Sequence, residues 1–311
     1  MRFIAIAALA AAPFTAVHAE STASLLQAIK HARVVDLSHT WEENSPIAGV
    51  NPPYSFELSA THANTRGTFG DGGQLSFTSE VMHWSGQHGA PSIDAIGHIG
   101  RDGRLFGGVD AAASTSDLNG IGASGTGAHL AIDQFPTDLL VNRGVLLDVA
   151  RVVNGDERPL PADFEITAVH LEAAAKAHKV TLQKGDTVFI RTGWGQFFRE
   201  PKMYGGDFSP GPGLDAAEYL IRKGARIVGN DTLTFEKRPP IVLEPKFQVF
   251  PVHMRLIADN GIYIIENLNL EELSRAKVYE FPVVVPPLKV RGGTGSALRA
   301  FALVPRQRRD D

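Results

Sequence analysis

The chain contains no cysteine, no strong excess of charge and no long apolar run. Its 311 residues include 30 basic and 34 acidic side chains, which gives a formal net charge of −4. The absence of cysteine excludes disulfides, thiolate metal ligands and a thiol nucleophile. The small negative charge provides no electrostatic basis for nucleic-acid binding, and we expect no nucleic-acid partner. No segment after the N-terminus reaches 18 apolar residues, so we expect no membrane association through a spanning helix.

The N-terminus has the pattern of a secretory signal peptide. A charged start at Met1 and Arg2 precedes a short apolar stretch, and Val17 to Ala19 resembles a cleavage site with small residues. We predict a signal peptide over residues 1–19 and a single mature domain over residues 20–311, in the periplasm or secreted. A buried N-terminal helix is the alternative, although Pro13 would interrupt it.

Short β-rich runs alternate with helical signals, which is typical of an α/β fold. The clearest helix follows Thr167, a plausible N-cap, and a second spans LDAAEYLIRK, with Gly224 closing it. We predict strands at Arg33 to Leu37, Gly144 to Val149, Thr187 to Arg191, Arg226 to Val228, Gly261 to Ile265 and Val283 to Val285.

The most informative segment is HGAPSIDAIGH, from His88 to His98. Imidazole and carboxylate are ligands that zinc and manganese accept. If the segment is extended, His88, Ser92, Asp94 and His98 project to one face. If a helix instead begins near Ser92, Asp94 and His98 lie one turn apart on the same helical face. Spacing alone leaves both conformations open, together with a purely structural role.

The same segment resembles the signature H-x-G-T-H-x-D-x-x-x-H of the cyclase-like metal-dependent hydrolases, which include kynurenine formamidase, isatin hydrolase and trans-dienelactone hydrolase. The chain matches the signature at His88, Asp94 and His98, but Ser92 stands where the family has its second histidine. The resemblance continues in VVDLSHTW, KGDTVFIRTGWG, GARIVGNDT and FPVHMRLIADNGIYIIENLNLEEL, and it covers nearly the whole mature chain. It implies an α/β fold of the swivelling β/β/α architecture.

The resemblance also implies a set of site residues. His88, Asp94, His253 and Glu266 would bind metal, and His98 would be the general acid or base. Ser92 offers only a neutral hydroxyl, which is a much weaker zinc ligand than imidazole, so we expect one tightly held Zn²⁺ or Mn²⁺ ion rather than two. Glu80 and His83 upstream are weaker candidates to compensate for the missing histidine.

His253 and Glu266 fit this interpretation by their own context. Glu266 ends the apolar run GIYII, where a carboxylate is costly unless it is solvated, paired or bound to a metal. His253 follows the short apolar stretch FPV. Either residue alone would be unremarkable, but their occurrence together within a segment that resembles the family favours metal binding.

These observations predict a metal-dependent hydrolase that opens an amide, lactam, cyclic imide or lactone by attack of metal-bound water. The substrate would be a small cyclic or aromatic molecule, and the enzyme a homo-oligomer, as the resemblance implies. No G-x-S-x-G motif is present for a serine nucleophile. The alternative is an exported small-molecule binding protein on the same fold, which has lost catalysis because Ser92 replaces a ligand.

Several other residues have both functional and structural interpretations. Ser92, His39 and Trp194 are possible pocket residues; a structural hydrogen bond is an equal alternative for His39, and core packing is favoured for Trp194. Asp231 follows a strand and is interpreted as a turn-capping carboxylate. The G-x-G-x-x-G match at residues 120–125 follows no apolar strand, so we interpret it as a flexible loop rather than a dinucleotide site.

Overall fold

The computed structural model describes residues 22–49, 51–52, 54–87, 89–115 and 130–306. Three sequence-based interpretations lie outside these residues: the signal peptide, the metal ligand His88 and the G-x-G-x-x-G segment. The chain divides into two compact units, a short one of residues 1–33 with 305–311 and a main one of residues 34–304. The short unit contains helix α1, and the backbone N–H of Arg306 donates to the carbonyl of His31. The predicted site residues that are described all lie in the main unit.

The described strands are β1 Ala32–Asp36, β2 Ser55–Ala60, β3 Ser79–His83, β4 Ser92–Asp94, β5 Arg104–Leu105, β6 Val109–Asp110, β7 Val141–Asp148, β8 Glu165–Ile166, β9 Thr187–Arg191, β10 Gly211–Pro212, β11 Ile227–Asn230, β12 Ile241–Val242, β13 Gln248–Val249, β14 Tyr263–Glu266, β15 Glu280–Val284, β16 Gly295–Ala297 and β17 Phe301–Pro305.

The described α-helices are α1 Thr22–His31, α2 His62–Thr65, α3 Ala111–Thr115, α4 Val149–Asn154, α5 Ala168–His178, α6 Pro201–Tyr204, α7 Leu214–Lys223, α8 Pro251–His253 and α9 Glu271–Arg275. A π-helical turn, Met254–Ala258, directly follows α8. None of these helices is long and apolar enough to cross a membrane.

Nine strands form one mixed sheet in the order β1-β17-β15-β7-β9-β11-β14-β4-β16. Its centre is parallel, because β7, β9, β11 and β14 pair in the same direction. Strand β4 then pairs antiparallel with both β14 and β16. The carboxyl ends of the four parallel strands therefore meet at one edge of the sheet, where open α/β folds place their functional groups.

The central strands are buried on both faces, which explains their continuous apolar sequence. Leu146 of β7 and Phe189 of β9 belong to one buried cluster, which contains side chains from β1, β15 and β17. Val145 and Val188, one residue away, belong to the opposite cluster, which contains side chains of α4, α5 and α7. Alternation along each strand thus sends successive side chains into two different cores.

The α/β class and the architecture of the family are confirmed. Strand β9 has the predicted bounds, and the other five predicted strands are displaced by a few residues at their ends. Both predicted helices are present: Thr167 caps α5 in a capping box with His170, and Gly224 closes α7 in the left-handed conformation. The local signals were sufficient here because caps and periodicity are properties of neighbouring residues.

Candidate metal centre

The register between β4 and β14 places three polar side chains on one face of the sheet. Asp94 lies opposite Ile264, and Ser92 lies opposite Glu266. Ile93 between them points to the other face and joins the opposite core cluster. Since alternate residues of a strand share a face, Ser92, Asp94 and Glu266 all face the side on which the helices pack.

His253 reaches these residues from α8, on the helical side of the sheet. Pro251 occupies the first turn of α8, which starts after Phe250 in the left-handed conformation with φ 53°. The π-helical turn begins immediately after His253. Such π-turns are frequent at functional sites, and here the change of helical period occurs at the residue whose ring enters the site.

Asp94, His253 and Glu266 converge tightly enough to hold one ion. His253 Nε2 lies 3.8 Å from Asp94 Oδ2 and 3.3 Å from Glu266 Oε1. One ligand atom from each of the three residues lies within 4.8 Å of the other two. Asp94 and His253 are buried, and Glu266 is mostly buried. We refer to these three residues as the ligand cluster.

The ligand cluster concentrates negative charge in a buried place. Burial raises the pKa of Glu266, against the lowering effect of its hydrogen bond with His253, and the nearby Asp94 carboxylate raises it further. Burial by itself lowers the pKa of His253, but hydrogen bonds to Glu236 and Glu266 outweigh burial and raise it. A cation held between the carboxylates would relieve their mutual repulsion.

The donor set fits a divalent metal. Ligands of a tetrahedral ion with bonds of about 2.0–2.2 Å are separated by roughly 3.4 Å. The separations of 3.3 Å and 3.8 Å measured from His253 Nε2 are close to that value. Two carboxylates and one imidazole match zinc and manganese, and the larger share of oxygen donors suits manganese better than an all-histidine site would.

Glu236 is the functional residue that the sequence did not reveal. Its Oε1 lies 2.6 Å from Nδ1 of His253 and accepts a hydrogen bond from the His253 backbone N–H at 3.0 Å. Its Oε2 accepts from the backbone N–H of Val252. The only sequence signal is a carboxylate in TLTFEKRPP, which lies outside any predicted strand or helix.

His98 borders the ligand cluster rather than joining it. Its Nε2 lies 3.8 Å from Asp94 Oδ1, and its side chain is 30% exposed. Its Nδ1 lies 3.3 Å from the amide nitrogen of Gln87, which also donates to Thr294. His98 is therefore held beside a carboxylate of the ligand cluster, with part of its side chain accessible to solvent.

The segment from Ser92 to His98 is extended and then turns. The helix starting near Ser92, one of two conformations considered from spacing, is not formed because residues 92–94 pair on both sides in the sheet. The chain leaves the strand after Asp94, and the backbone N–H of His98 donates to the carbonyl of Ala95. This turn, not helical periodicity, returns His98 towards Asp94.

Ser92 lies beside the ligand cluster, on the strand that also carries Asp94. The residue is 1% exposed, and its Oγ has no hydrogen-bond partner among the described residues. Its cross-strand neighbour is Glu266. A buried hydroxyl without a partner carries a desolvation cost, and such groups occur where function constrains the sequence.

His39 lies on the approach to β4 rather than in the ligand cluster. Its backbone N–H donates to Ala90, its ring stacks on Phe198 at 4.0 Å, and it borders a cavity of about 370 Å³ together with Gly89 and Ala90. Burial lowers the pKa of His39 to about 4, against the opposing effect of a hydrogen bond to the backbone of Leu268. The ring is therefore neutral at physiological pH.

The contacts of Trp194 and Asp231 are with the protein core and with a turn, rather than with the ligand cluster. Trp194 is 2% exposed, packs with Phe198 and Tyr204, and donates from its indole nitrogen to the Tyr204 carbonyl. Asp231 is fully buried and accepts backbone hydrogen bonds from Thr192 and Gly193. These bonds fix the turn after β9, as expected for a turn-capping carboxylate.

Glu80 and His83 do not belong to the ligand cluster. Both lie on β3, which pairs with β2 in a separate two-stranded ribbon, and both are exposed. The described part of the chain therefore places Asp94, His253 and Glu266 together, His98 and Ser92 beside them, and the two upstream residues elsewhere.

The comparisons with known proteins concern the family and the fold of this chain. A family model described as "Putative cyclase" matches residues 35–237, which is more than half of the chain. An isatin hydrolase of Roseibium aggregatum is 30% identical over 175 residues, covering 55% of this chain and 64% of that protein. The alignment thus spans less than two thirds of the relative.

Solved structures with the same fold cover nearly the whole chain. A crystal structure of a novel cyclase is 26% identical, with a TM-score of 0.74 over 92% of this chain and 93% of that one. Isatin hydrolase A from Ralstonia solanacearum is 21% identical, with a TM-score of 0.67 over 94% and 100% of the two chains. A predicted metal-dependent hydrolase from Bacillus stearothermophilus is 20% identical, with a TM-score of 0.56 over 88% and 98%. At these last two identities the likeness concerns the fold alone.

Proposed function

This chain belongs to the cyclase family, and on that premise we propose that it is a metal-dependent hydrolase acting on a small molecule. The observation that carries the proposal is the convergence of Asp94, His253 and Glu266, whose ligand atoms lie within 4.8 Å of one another at the carboxyl edge of the sheet. The hydrolases among its relatives and structural neighbours support the same reaction class.

We assign the metal ligands to Asp94, His253 and Glu266, and retain His88 as a fourth from the resemblance of the signature. When bound, a divalent metal polarises a carbonyl group and makes water a stronger acid. Zn²⁺ and Mn²⁺ are the ions that this mixture of imidazole and carboxylate donors accepts. We expect a single ion, because the hydroxyl of Ser92 is a weak ligand.

His98 is the proposed general acid or base. Its Nε2 is 3.8 Å from Asp94 Oδ1, and its ring is partly exposed, so it faces both the ligand cluster and solvent. Histidine is the side chain that most often transfers protons in enzyme active sites. In this assignment His98 removes a proton from the attacking water and returns it to the leaving nitrogen or oxygen.

The proposed substrate is a small cyclic or aromatic amide, lactam, imide or lactone. The support comes from the isatin hydrolase relative and from the structure of an isatin hydrolase bound to the product analogue thioisatinate. Isatin is therefore the first compound to test, followed by a panel of lactams, imides, aryl formamides and lactones.

Metal analysis of the purified protein tests the proposal. We expect about one equivalent of zinc or manganese in the wild type, measured by mass spectrometry after purification without chelator. His253→Ala should lose this metal, whereas His62→Ala, at an exposed histidine hydrogen-bonded to Ser76, should retain it. Hydrolysis of a panel compound should depend on the metal. Absence of metal from the wild type after reconstitution would contradict the proposal, and bound metal without hydrolysis would favour the binding-protein alternative.

We also propose that the protein is a homo-oligomer. One face of the ribbon of β2 and β3 exposes the large apolar side chains of Phe56, Leu58 and Met82, at 42–52% of their area. A two-stranded ribbon is marginally stable in water by itself, and exposed apolar patches mark interaction sites. We assign this surface to contact with a second copy. Phe56→Glu with Met82→Glu should lower the mass measured by light scattering; an unchanged mass would contradict the assignment.

Finally, we propose that residues 1–19 are removed on export and that residues 20–311 form one domain in the periplasm or outside the cell. The support is the pattern of the sequence alone. Intact-mass measurement of the protein recovered from the exported fraction should give a chain that starts at Glu20. A full-length chain found only inside the cell would contradict the proposal.

A further inference from the structure

Glu236 contacts the edge of the His253 ring that is turned away from the ligand cluster. Nδ1 of the ring lies 2.6 Å from Glu236 Oε1, whereas Nε2 faces Asp94 and Glu266. The two nitrogens of one imidazole thus have separate partners, a carboxylate behind the ring and the ligand cluster in front of it. Metal-binding histidines commonly have this arrangement, because the rear partner fixes the ring and its tautomer.

The carboxylate of Glu236 is committed to this role by its other hydrogen bonds. Oε1 also accepts from the His253 backbone N–H at 3.0 Å, and Oε2 accepts from the Val252 backbone N–H at 3.2 Å. Both oxygens therefore hold the first turn of the helical segment that carries the ring. Glu236 is 2% exposed, so these bonds are made without competition from bulk water.

The backbone around Glu236 is built to aim the side chain. Phe235, just before it, has a φ of 50°, which is uncommon for a bulky residue. Asn230, fully buried at the end of β11, donates to the Phe235 carbonyl at 2.7 Å. A left-handed aromatic residue costs conformational energy, and it persists only where surrounding contacts fix it.

A close approach of β10 completes this support. A Cβ on Gly211 would lie 2.5 Å from the Phe235 carbonyl oxygen and 2.6 Å from the carbonyl carbon of Glu236. The backbone N–H of Lys237 donates to Pro212, and that of Arg238 donates to Ser209. Only glycine fits at position 211. The segment that carries Glu236 is therefore held against β10 by close packing and by two backbone hydrogen bonds.

We propose that Glu236 is a positioning residue that holds His253 with its proton on Nδ1, so that the Nε2 lone pair is directed at the metal. The inference rests on the proposed function, because it assigns a role towards the same metal. Glu236 itself is not a ligand in this assignment, since both its oxygens are occupied on the far side of the ring.

Metal affinity of stripped protein, measured by competition with a chromogenic chelator, tests the inference. Loss of such a rear partner typically weakens binding by about 10- to 100-fold. We expect Glu236→Ala to weaken Zn²⁺ binding by about 100-fold and Glu236→Gln by about 10-fold, because glutamine keeps an acceptor oxygen without the charge. The control is Glu218→Gln, which alters a carboxylate paired with Arg255 in the adjacent π-helical turn and should leave affinity unchanged.

A second measurement separates positioning from a purely structural role. Long-range ¹H–¹⁵N spectra of zinc-loaded protein should show the His253 proton on Nδ1 in the wild type and a mixed or reversed pattern in Glu236→Ala. Unfolding of each variant in excess chelator records the stability of the metal-free fold. Affinity losses that follow this stability, with an unchanged proton pattern, would overturn the inference.

The outcomes distinguish a failure of the inference from a failure of the proposed function on which it rests. A wild type that binds no metal overturns the proposed function and the inference with it. A wild type that binds metal, with Glu236→Ala and Glu236→Gln binding within twofold of it, overturns the inference alone. A Zn²⁺ affinity that falls from wild type to Glu236→Gln and further to Glu236→Ala, with Glu218→Gln unchanged, supports the inference.

Discussion

Two buried charge clusters lie at the carboxyl edge of the sheet, on either side of β11, and their charges are compensated in different ways. At the ends of β7 and β9, Arg191 donates to Asp148 at 2.9 Å and to both carboxylate oxygens of Glu271, while Ser274 also donates to Asp148. At the end of β14, Glu266 and the neighbouring Asp94 have only histidines as ion-pair partners within the described part of the chain.

The two clusters differ in whether their buried carboxylates are neutralised by basic side chains of the same chain. Arg191 and Asp148 are both fully buried, and each carboxylate there finds a guanidinium in the same chain. A buried charge that is paired in this way needs no ligand. The ligand cluster brings two carboxylates together around one imidazole, and a bound cation would supply the complementary positive charge. Incomplete compensation among the described residues, rather than polar burial alone, is therefore what distinguishes the candidate site from the structural cluster.

The largest effect that we expect is the loss of catalysis when His98, beside the ligand cluster, is substituted. His98→Ala should lower kcat by about 100- to 10,000-fold on the best substrate of the panel, because it removes the proposed general acid or base. Metal content should stay at the wild-type value, since His98 lies outside the ligand cluster. His62→Ala serves as the control for removal of an exposed histidine. Loss of metal from His98→Ala would make this residue a ligand instead.

Next in size is the effect of Arg191→Met on stability. The substitution leaves Asp148 and Glu271 without their counter-charge, and breaking a buried pair costs about 3–5 kcal/mol. The free energy of unfolding, from urea titration of metal-free protein, should fall by this amount, with metal binding retained in the folded fraction. Arg299→Met is the matched control, because its pair with Asp36 is on the surface and should contribute about 0–1 kcal/mol. Equal effects of the two substitutions would contradict the comparison.

A smaller effect concerns the pH dependence of stability at His39. Its pKa in the folded protein is about 4, below the value of 6.5 for an unperturbed imidazole. Between these values the unfolded chain binds a proton that the folded chain does not, so stability is fully present above pH 6.5 and is lost as the pH falls towards 4. The loss amounts to at most about 3 kcal/mol.

His39→Phe should remove this part of the pH dependence while keeping a ring against Phe198. Urea unfolding at several pH values between 4 and 7 measures it, with His62→Phe as a control that leaves the slope in place. A slope that is the same in wild type and His39→Phe would show that another group causes it.

The smallest expected effect concerns two buried serines, Ser92 beside the ligand cluster and Ser274 beside Asp148. Ser92→Ala removes a hydroxyl that has no hydrogen-bond partner within the described ranges, and it should raise the free energy of unfolding by about 1 kcal/mol. Ser274→Ala removes a hydroxyl that donates to Asp148 and should lower it by about 1–3 kcal/mol. Metal affinity should be unchanged in both. A tenfold loss of affinity in Ser92→Ala would show instead that this hydroxyl is a metal ligand.

The fold and part of the site could be predicted before the structure. Strand β9 and helices α5 and α7 follow from apolar runs and caps, which are local features. Glu266 was identifiable because a carboxylate that ends an apolar strand needs a partner. The spacing could not decide whether the chain after Ser92 is a strand or a helix, because so short a segment fits both the strand and the helix periodicity. Only pairing with β14 and β16 fixes it as a strand.

Glu236 shows why the remainder was hidden. Its contact with His253 joins residues 17 positions apart through a segment that has neither strand nor helix periodicity. Its direction depends on the left-handed Phe235 and on Asn230 in its own segment, and on Gly211 from a separate part of the chain. No local pattern encodes such a combination, since each residue is ordinary in its own sequence context.

The sequence by itself determined the family, the α/β class and the donor chemistry, because motifs, periodicity and residue types are local and survive any change in packing. The tertiary structure alone decided that Asp94 and Glu266 share a face, that His253 faces both, and that Glu236 lies behind the ring. A shift of one residue in the pairing of β4 with β14 would turn Asp94 to the opposite core. Register is set by contacts between distant segments, and these exist only once the chain has folded.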